Sequence, residues 1–135
     1  MTTRRNIVFD SWPVMAYLQG EPPVKRIIEI IADGHASGDT LLMSVINAGE
    51  VWYAIAQRGG TNAADGAIDL VRSLGIEFVD ADWPLTEIAA GYKAKGGVSY
   101  ADCFAAALTK QTNATLVTGD REFKRLEKEL TIEWL

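Results

Sequence analysis

A chain of 135 residues with 48% hydrophobic content and a mean hydropathy of +0.03 has the size and balance of one globular domain around one core. Its formal net charge of −5 and sequence pI near 4.8 exclude binding of polyanions through an overall basic surface. Such a partner must be held by local basic residues or by metal ions. The single cysteine, Cys103, cannot form an intrachain disulfide, which suits a reducing compartment. The apolar run Ile7 to Phe9 behind Arg4 and Arg5 is too short for a signal peptide, and no segment approaches the ~18 apolar residues of a membrane span. A cytoplasmic location and no membrane partner are therefore expected.

Asn6 to Phe9 reads as a short strand buried on both faces, because its apolar run does not alternate, and Asp10 ends it. Ser11 is placed to cap the helix that follows, and Pro13 fits its first turn. Gly20 to Pro23 stops that helix. A second helix presents Ile27, Ile28, Ile30 and Ile31 as a broad apolar face, with Lys25, Arg26 and Glu29 towards solvent. His35, the only histidine, is expected in the turn after it.

Thr40 to Met43 supplies a second strand, and Ser44 caps a third helix running to about Arg58, in which Asn47 and Glu50 share a face. Gly59 to Asn62 is a turn signal, and Ala63 to Leu74 a fourth helix with Ala67, Leu70, Val71 and Leu74 as its core stripe. Ile76 to Val79 is a third strand. Asp82 and Pro84 start a helix running towards Lys95, Gly96-Gly97 breaks it, and Ser99 caps an alanine-rich helix from Tyr100 to Thr112. Thr115 to Thr118 is the fourth strand, Arg121 to Glu129 a short charged helix, and Thr131 to Trp134 a last strand. Strands alternating with helices and no hairpin signal predict one α/β domain over residues 1–135, three layers deep, with a mostly parallel central sheet.

In a parallel sheet the C-terminal strand ends share one rim, and ligands bind there. Asp10 and Asp120 end strands, and Glu50 lies early in the helix after the second strand, so topology alone gathers these three. Asp102 is less secure, since its helix follows a Gly-Gly loop and another helix. Two carboxylates ~5 Å apart repel by about 3 kcal/mol at an effective dielectric of 20. Protonation or a bound divalent cation relieves this, and an all-oxygen donor set selects Mg²⁺ or Mn²⁺ over zinc. A water on such an ion, lowered in pKa, is suited to attack a phosphodiester. With one histidine in the chain, no Ser-His-Asp set can be built.

Each acid also has a plainer reading. Asp10, Asp102 and Asp120 sit near helix N-termini, where the dipole favours a carboxylate, and Ser99-x-x-Asp102 fits a capping box. Asn47 fits an exposed polar position equally well. Asp80 and Asp82 read as turn and cap residues, and Cys103 as a buried thiol. Trp12, Trp52, Trp83 and Trp134 read as core or interface residues, although Trp12 beside Asp10 is placed to stack on a base. Arg121 and Lys124 belong either to a solvated, ion-paired helix or to a phosphate contact at the pocket mouth.

Asp10-Ser11 after an apolar strand, Asn47-x-x-Glu50, the helix Tyr100-Ala-Asp102-Cys-Phe-Ala-Ala-Ala and Thr118-Gly-Asp120-Arg-Glu-Phe123 together resemble PIN-domain nucleases, especially the VapC-type toxins. The resemblance runs from Ile7 to about Leu126 in the family's order and spacing. It implies an endoribonuclease dependent on Mg²⁺ or Mn²⁺, a homodimer, and a small VapB-like antitoxin partner. By position it implies Asp10, Glu50, Asp102 and Asp120 as the catalytic and metal-holding acids, with Ser11 and Thr118 as supporting hydroxyls and Asn47 orienting Glu50. Two other classes remain to be weighed. A receiver-type phosphoacceptor module needs paired acids after the first strand and a lysine after the last, where this chain has Ser11-Trp12 and Glu133-Trp134-Leu135. A catalytically inactive PIN-like protein would keep the same acids only for folding and partner binding.

Overall fold

A computed structural model describes residues 4–135. Five short strands, β1 (Asn6–Phe9), β2 (Thr40–Ser44), β3 (Ile76–Val79), β4 (Thr115–Thr118) and β5 (Thr131–Trp134), form one sheet in the order β3-β2-β1-β4-β5. Every pairing is parallel. Val8 of β1 stands opposite Leu42 of β2 on one side and Leu116 of β4 on the other.

The reason these strands lack alternation is visible in what each residue touches. Val8 and Leu116 face one apolar layer, together with Leu85, Ala89, Phe104 to Leu108 and Phe123. Ile7, Phe9 and Val117 face the other, with Val14, Ile27, Ile30, Val51 and Val71. A strand covered on both faces needs apolar residues at every position. The covering helices are α1 (Ser11–Gln19), α2 (Val24–Ser37), α3 (Val45–Gly59) and α4 (Thr61–Ser73) for the second layer, and α5 (Trp83–Lys95) with α6 (Tyr100–Gln111) for the first. Three layers around an all-parallel sheet result.

Several local expectations need correction. Asp10, and not Ser11, is the N-cap residue of α1, and it makes no side-chain cap bond. Ile28 and Leu70 are exposed, so the apolar stripes of α2 and α4 are narrower than their periodicity suggests. The segment after Asp120 is one 3₁₀ stretch, Arg121–Leu126, in place of a longer helix, since Phe123 and Leu126 are both drawn into the core there. Trp83 is 66% exposed and is no core residue, although its neighbour Leu85 is. His35 lies inside the last turn of α2, with Nε2 2.6 Å from the carbonyl of Leu74. That places it at the opposite rim, where α2 turns into β2.

The turn after β4 is fixed by a close approach. A Cβ at Gly119 would lie 2.6 Å from Cζ2 and Cζ3 of Trp12, so the indole rests directly on the glycine backbone. Gly119→Ala is expected to destabilise the protein by about 1–3 kcal/mol through overpacking. Gly66, inside α4 with open space around it, is the control: Gly66→Ala should stabilise by about 0.5–1 kcal/mol through helix propensity. Urea unfolding of both variants reads the opposite signs.

Candidate active site

The C-terminal rim of the central strands collects the acids. Asp10 follows β1 and is fully buried. Its Oδ2 accepts a hydrogen bond from the Thr118 hydroxyl of the adjacent strand β4 at 3.1 Å, while Oδ1 is buried without a partner. The same Thr118 oxygen accepts from the backbone N–H of Asp120 at 3.0 Å, so one hydroxyl joins two acids across two strands. Asp120 in turn caps the 3₁₀ stretch, its Oδ1 accepting from the N–H of Glu122 at 2.9 Å.

Asp102 enters from the first turn of α6, where its N–H donates to Ser99 Oγ at 3.3 Å. A full capping box would return the Asp102 carboxylate to the Ser99 N–H. Here Glu122 Oε1 takes that N–H instead. The Asp102 carboxylate is left to turn towards the rim, where one oxygen each from Asp10, Asp102 and Asp120 lie within 4.8 Å of one another.

Glu50 is beside this triad and not in it. Its Oε1 accepts from Ser11 Oγ at 3.0 Å and from Asn47 Nδ2 at 3.3 Å. Asn47 is completely buried and donates also to the Ala101 carbonyl at 3.1 Å, tying α3 to the start of α6; the exposed alternative for it is excluded. Topology ranked Glu50 above Asp102, and the geometry reverses that order. Arg121 is exposed, with its guanidinium 5.7 Å from the Trp134 ring centroid on the outer strand β5, rather than against the acids. Cys103 is buried and points its thiol at the Val98 carbonyl, 3.8 Å away; burial pushes its pKa up, as for an inert thiol.

The triad is electrostatically uncompensated. Among the described residues none of the three acids has an ion pair within 4.0 Å, whereas buried Asp39, at the other rim, is held by Arg5 at 3.3 Å. Burial, followed by the repulsion of Asp102, holds the Asp10 carboxyl well above the usual carboxylate range. Asp102 is pushed up to about 8, first by burial and then by the neighbouring Asp120 carboxyl. Three converging carboxylate oxygens, an orphaned buried Oδ1 on Asp10 and no nitrogen or sulfur donor among them form a set that fits a hard divalent cation.

Known proteins share this architecture. The VapBC2 structure from Rickettsia felis, bound to a DNA fragment from its promoter, matches with a TM-score of 0.72 at 21% identity, covering 95% of this chain and 97% of that one. VapBC-1 from nontypeable Haemophilus influenzae matches at 0.72 and 19%, covering 96% and 97%. VapC20 of Mycobacterium tuberculosis, described as a Sarcin-Ricin loop cleaving toxin, matches at 0.70 and 18%, covering 89% and 94%. Likenesses at such identities carry the fold. No curated protein matches the sequence. The sequence model of the PIN domain matches residues 7–129, which take in all four acids and every strand but β5. The chain belongs to the PIN domain family.

Proposed function

We propose that the protein is an endoribonuclease dependent on Mg²⁺ or Mn²⁺, the toxin of a type II toxin–antitoxin pair, acting in the cytoplasm as a homodimer whose 135 residues are one PIN-like domain. The convergence of Asp10, Asp102 and Asp120 around the unpartnered Asp10 Oδ1 is the observation that carries the reading. The fold it shares with the sarcin–ricin loop cleaving toxin supports RNA as substrate, and the fold it shares with VapBC complexes supports a VapB-like partner.

In this reading Asp10, Asp102 and Asp120 hold the cation. There a hard divalent ion would offset the cluster's charge and would supply a water of lowered pKa suited to attack on phosphorus. The chain's own contributions are positional. Thr118 keeps Asp10 and Asp120 in register through its two hydrogen bonds. Glu50, steered by Ser11 and Asn47, supplies a carboxylate that can hold the attacking water or take its proton. Arg121, exposed beside Trp134, is free to meet a phosphate further along the strand.

The test is incubation of purified protein with structured RNA and Mg²⁺ or Mn²⁺. Cleavage that stops in EDTA and resumes with excess Mn²⁺ is expected, and cleavage indifferent to EDTA would overturn the metal-dependent mechanism. A folded protein that binds no Mn²⁺ by calorimetry and leaves RNA intact would point to the inactive, partner-binding form. Copurification of a small antitoxin from the native operon tests the pairing separately.

A further inference from the structure

A continuous path of hydrogen bonds links the three acids, and two of its members, Glu122 and Ser99, are assigned no role by the resemblance. From Asp10 the path passes through the Thr118 hydroxyl to the Asp120 backbone, at 3.1 and 3.0 Å. The Asp120 carboxylate then takes the Glu122 N–H at 2.9 Å. Glu122 Oε1 accepts the N–H of Ser99, and Ser99 Oγ accepts the N–H of Asp102 at 3.3 Å. Glu122 is the only link in this path between the β4 turn and the α6 N-terminus.

That end of α6 has need of an outside anchor. It follows Gly96 and Gly97, both with φ above +80°, so between α5 and Ser99 only the buried Val98 anchors the chain by a side chain. Gly97 also packs under Arg125 of the same 3₁₀ stretch, where a Cβ would stand 2.8 Å from its Cδ. Ser99 is itself exposed and caps α6 by one bond. Asn47 holds this first turn from the α3 side through the Ala101 carbonyl at 3.1 Å, and the Glu122 contact fixes it, and with it Asp102, against the β4 turn.

We infer that Glu122 is a positioning residue, which sets Asp102 against Asp120 by clamping the Ser99 amide. The inference rests on the proposed metal-dependent function for its consequence, but the clamp is a property of the metal-free protein. Glu122 donates no oxygen to the Asp10, Asp102 and Asp120 cluster, and its carboxylate works as an acceptor, so a neutral acceptor of the same length should serve in its place.

Three proteins test it: the parent, Glu122→Gln and Glu122→Ala. Hydrogen exchange of the Ser99 amide in EDTA reads the clamp, and Mn²⁺ titration calorimetry reads its effect on the site. Glu122→Ala should lose Ser99 protection and weaken Mn²⁺ about 10–100-fold, the range for a lost supporting partner. Glu122→Gln should restore both to within about threefold. Equal loss in Gln and Ala would show that charge and not the hydrogen bond matters, and overturns the inference. Parent-like Mn²⁺ affinity in Glu122→Ala overturns it too, leaving the proposed function standing. A parent that binds no Mn²⁺ removes the proposed function and the positioning role together, while Ser99 exchange still reports whether the clamp exists.

Discussion

Asp10→Asn is expected to abolish RNA cleavage, by at least about a hundredfold, while raising the melting temperature of the metal-free protein at pH 8. Asparagine keeps the volume, and its amide oxygen can still accept the Thr118 hydroxyl. Its NH₂ replaces the orphaned Oδ1 with a donor facing acidic neighbours. What disappears is the cost of the carboxyl itself. With its folded pKa held well above the usual range, Asp10 keeps a proton in the native state that the unfolded chain releases above about pH 4. Stability from such a group is fully present below the unfolded pKa and lost as pH rises through the folded one. Removing it should therefore raise Tm by about 5 °C or more at pH 8 and by little at pH 4. Thermal melts in EDTA at the two pH values, with RNA cleavage in Mn²⁺, check both halves. A variant that is active, or less stable at pH 8, contradicts the site.

Manganese should rescue the parent protein from the same destabilisation. In EDTA, Tm should fall between pH 5 and 8, because Asp102, pushed up to about 8, is also protonated in the native state where the unfolded chain is not. A cation at a hundred times its Kd adds about 2.7 kcal/mol to the folded state. For a chain of this length that is a rise of about 10 °C. Protons and the ion compete for the same oxygens, so the rise should be larger at pH 8 than at pH 5. Identical melting curves with EDTA and with Mn²⁺ at pH 8 would remove the cation from the account.

The parts of the fold that repeat a local rule were legible. The spans of β1, β3 and β4 follow from largely apolar runs closed by Asp or Thr-Gly, and Ser44, Asp82 and Ser99 cap the helices that their chemistry suggests. The site was legible only as far as topology reaches. Strand ends bring Asp10 and Asp120 together whatever the side chains do, but the helix start that carries Asp102 is held by tertiary contacts, from Glu122 to Ser99 across 23 residues and from Asn47 to Ala101 across 54. Glu50 illustrates the converse. Its helix starts at the right rim, yet Ser11 and Asn47 hold its carboxylate beside the triad. Such choices are made by tertiary hydrogen bonds, which leave no period in the sequence.

The central place of β1 has a consequence for biosynthesis. Its partners are β2, paired through residues 40–42, and β4, paired through residues 115–117. The Thr118 hydroxyl that holds Asp10 lies 108 residues downstream of it. At about 5–20 residues per second, a ribosome needs roughly 5–20 s to make that interval. Throughout it, one edge of β1 stays open and the acids stay apart. The cluster of Asp10, Asp102 and Asp120 therefore cannot assemble on a nascent chain until β4 inserts beside β1.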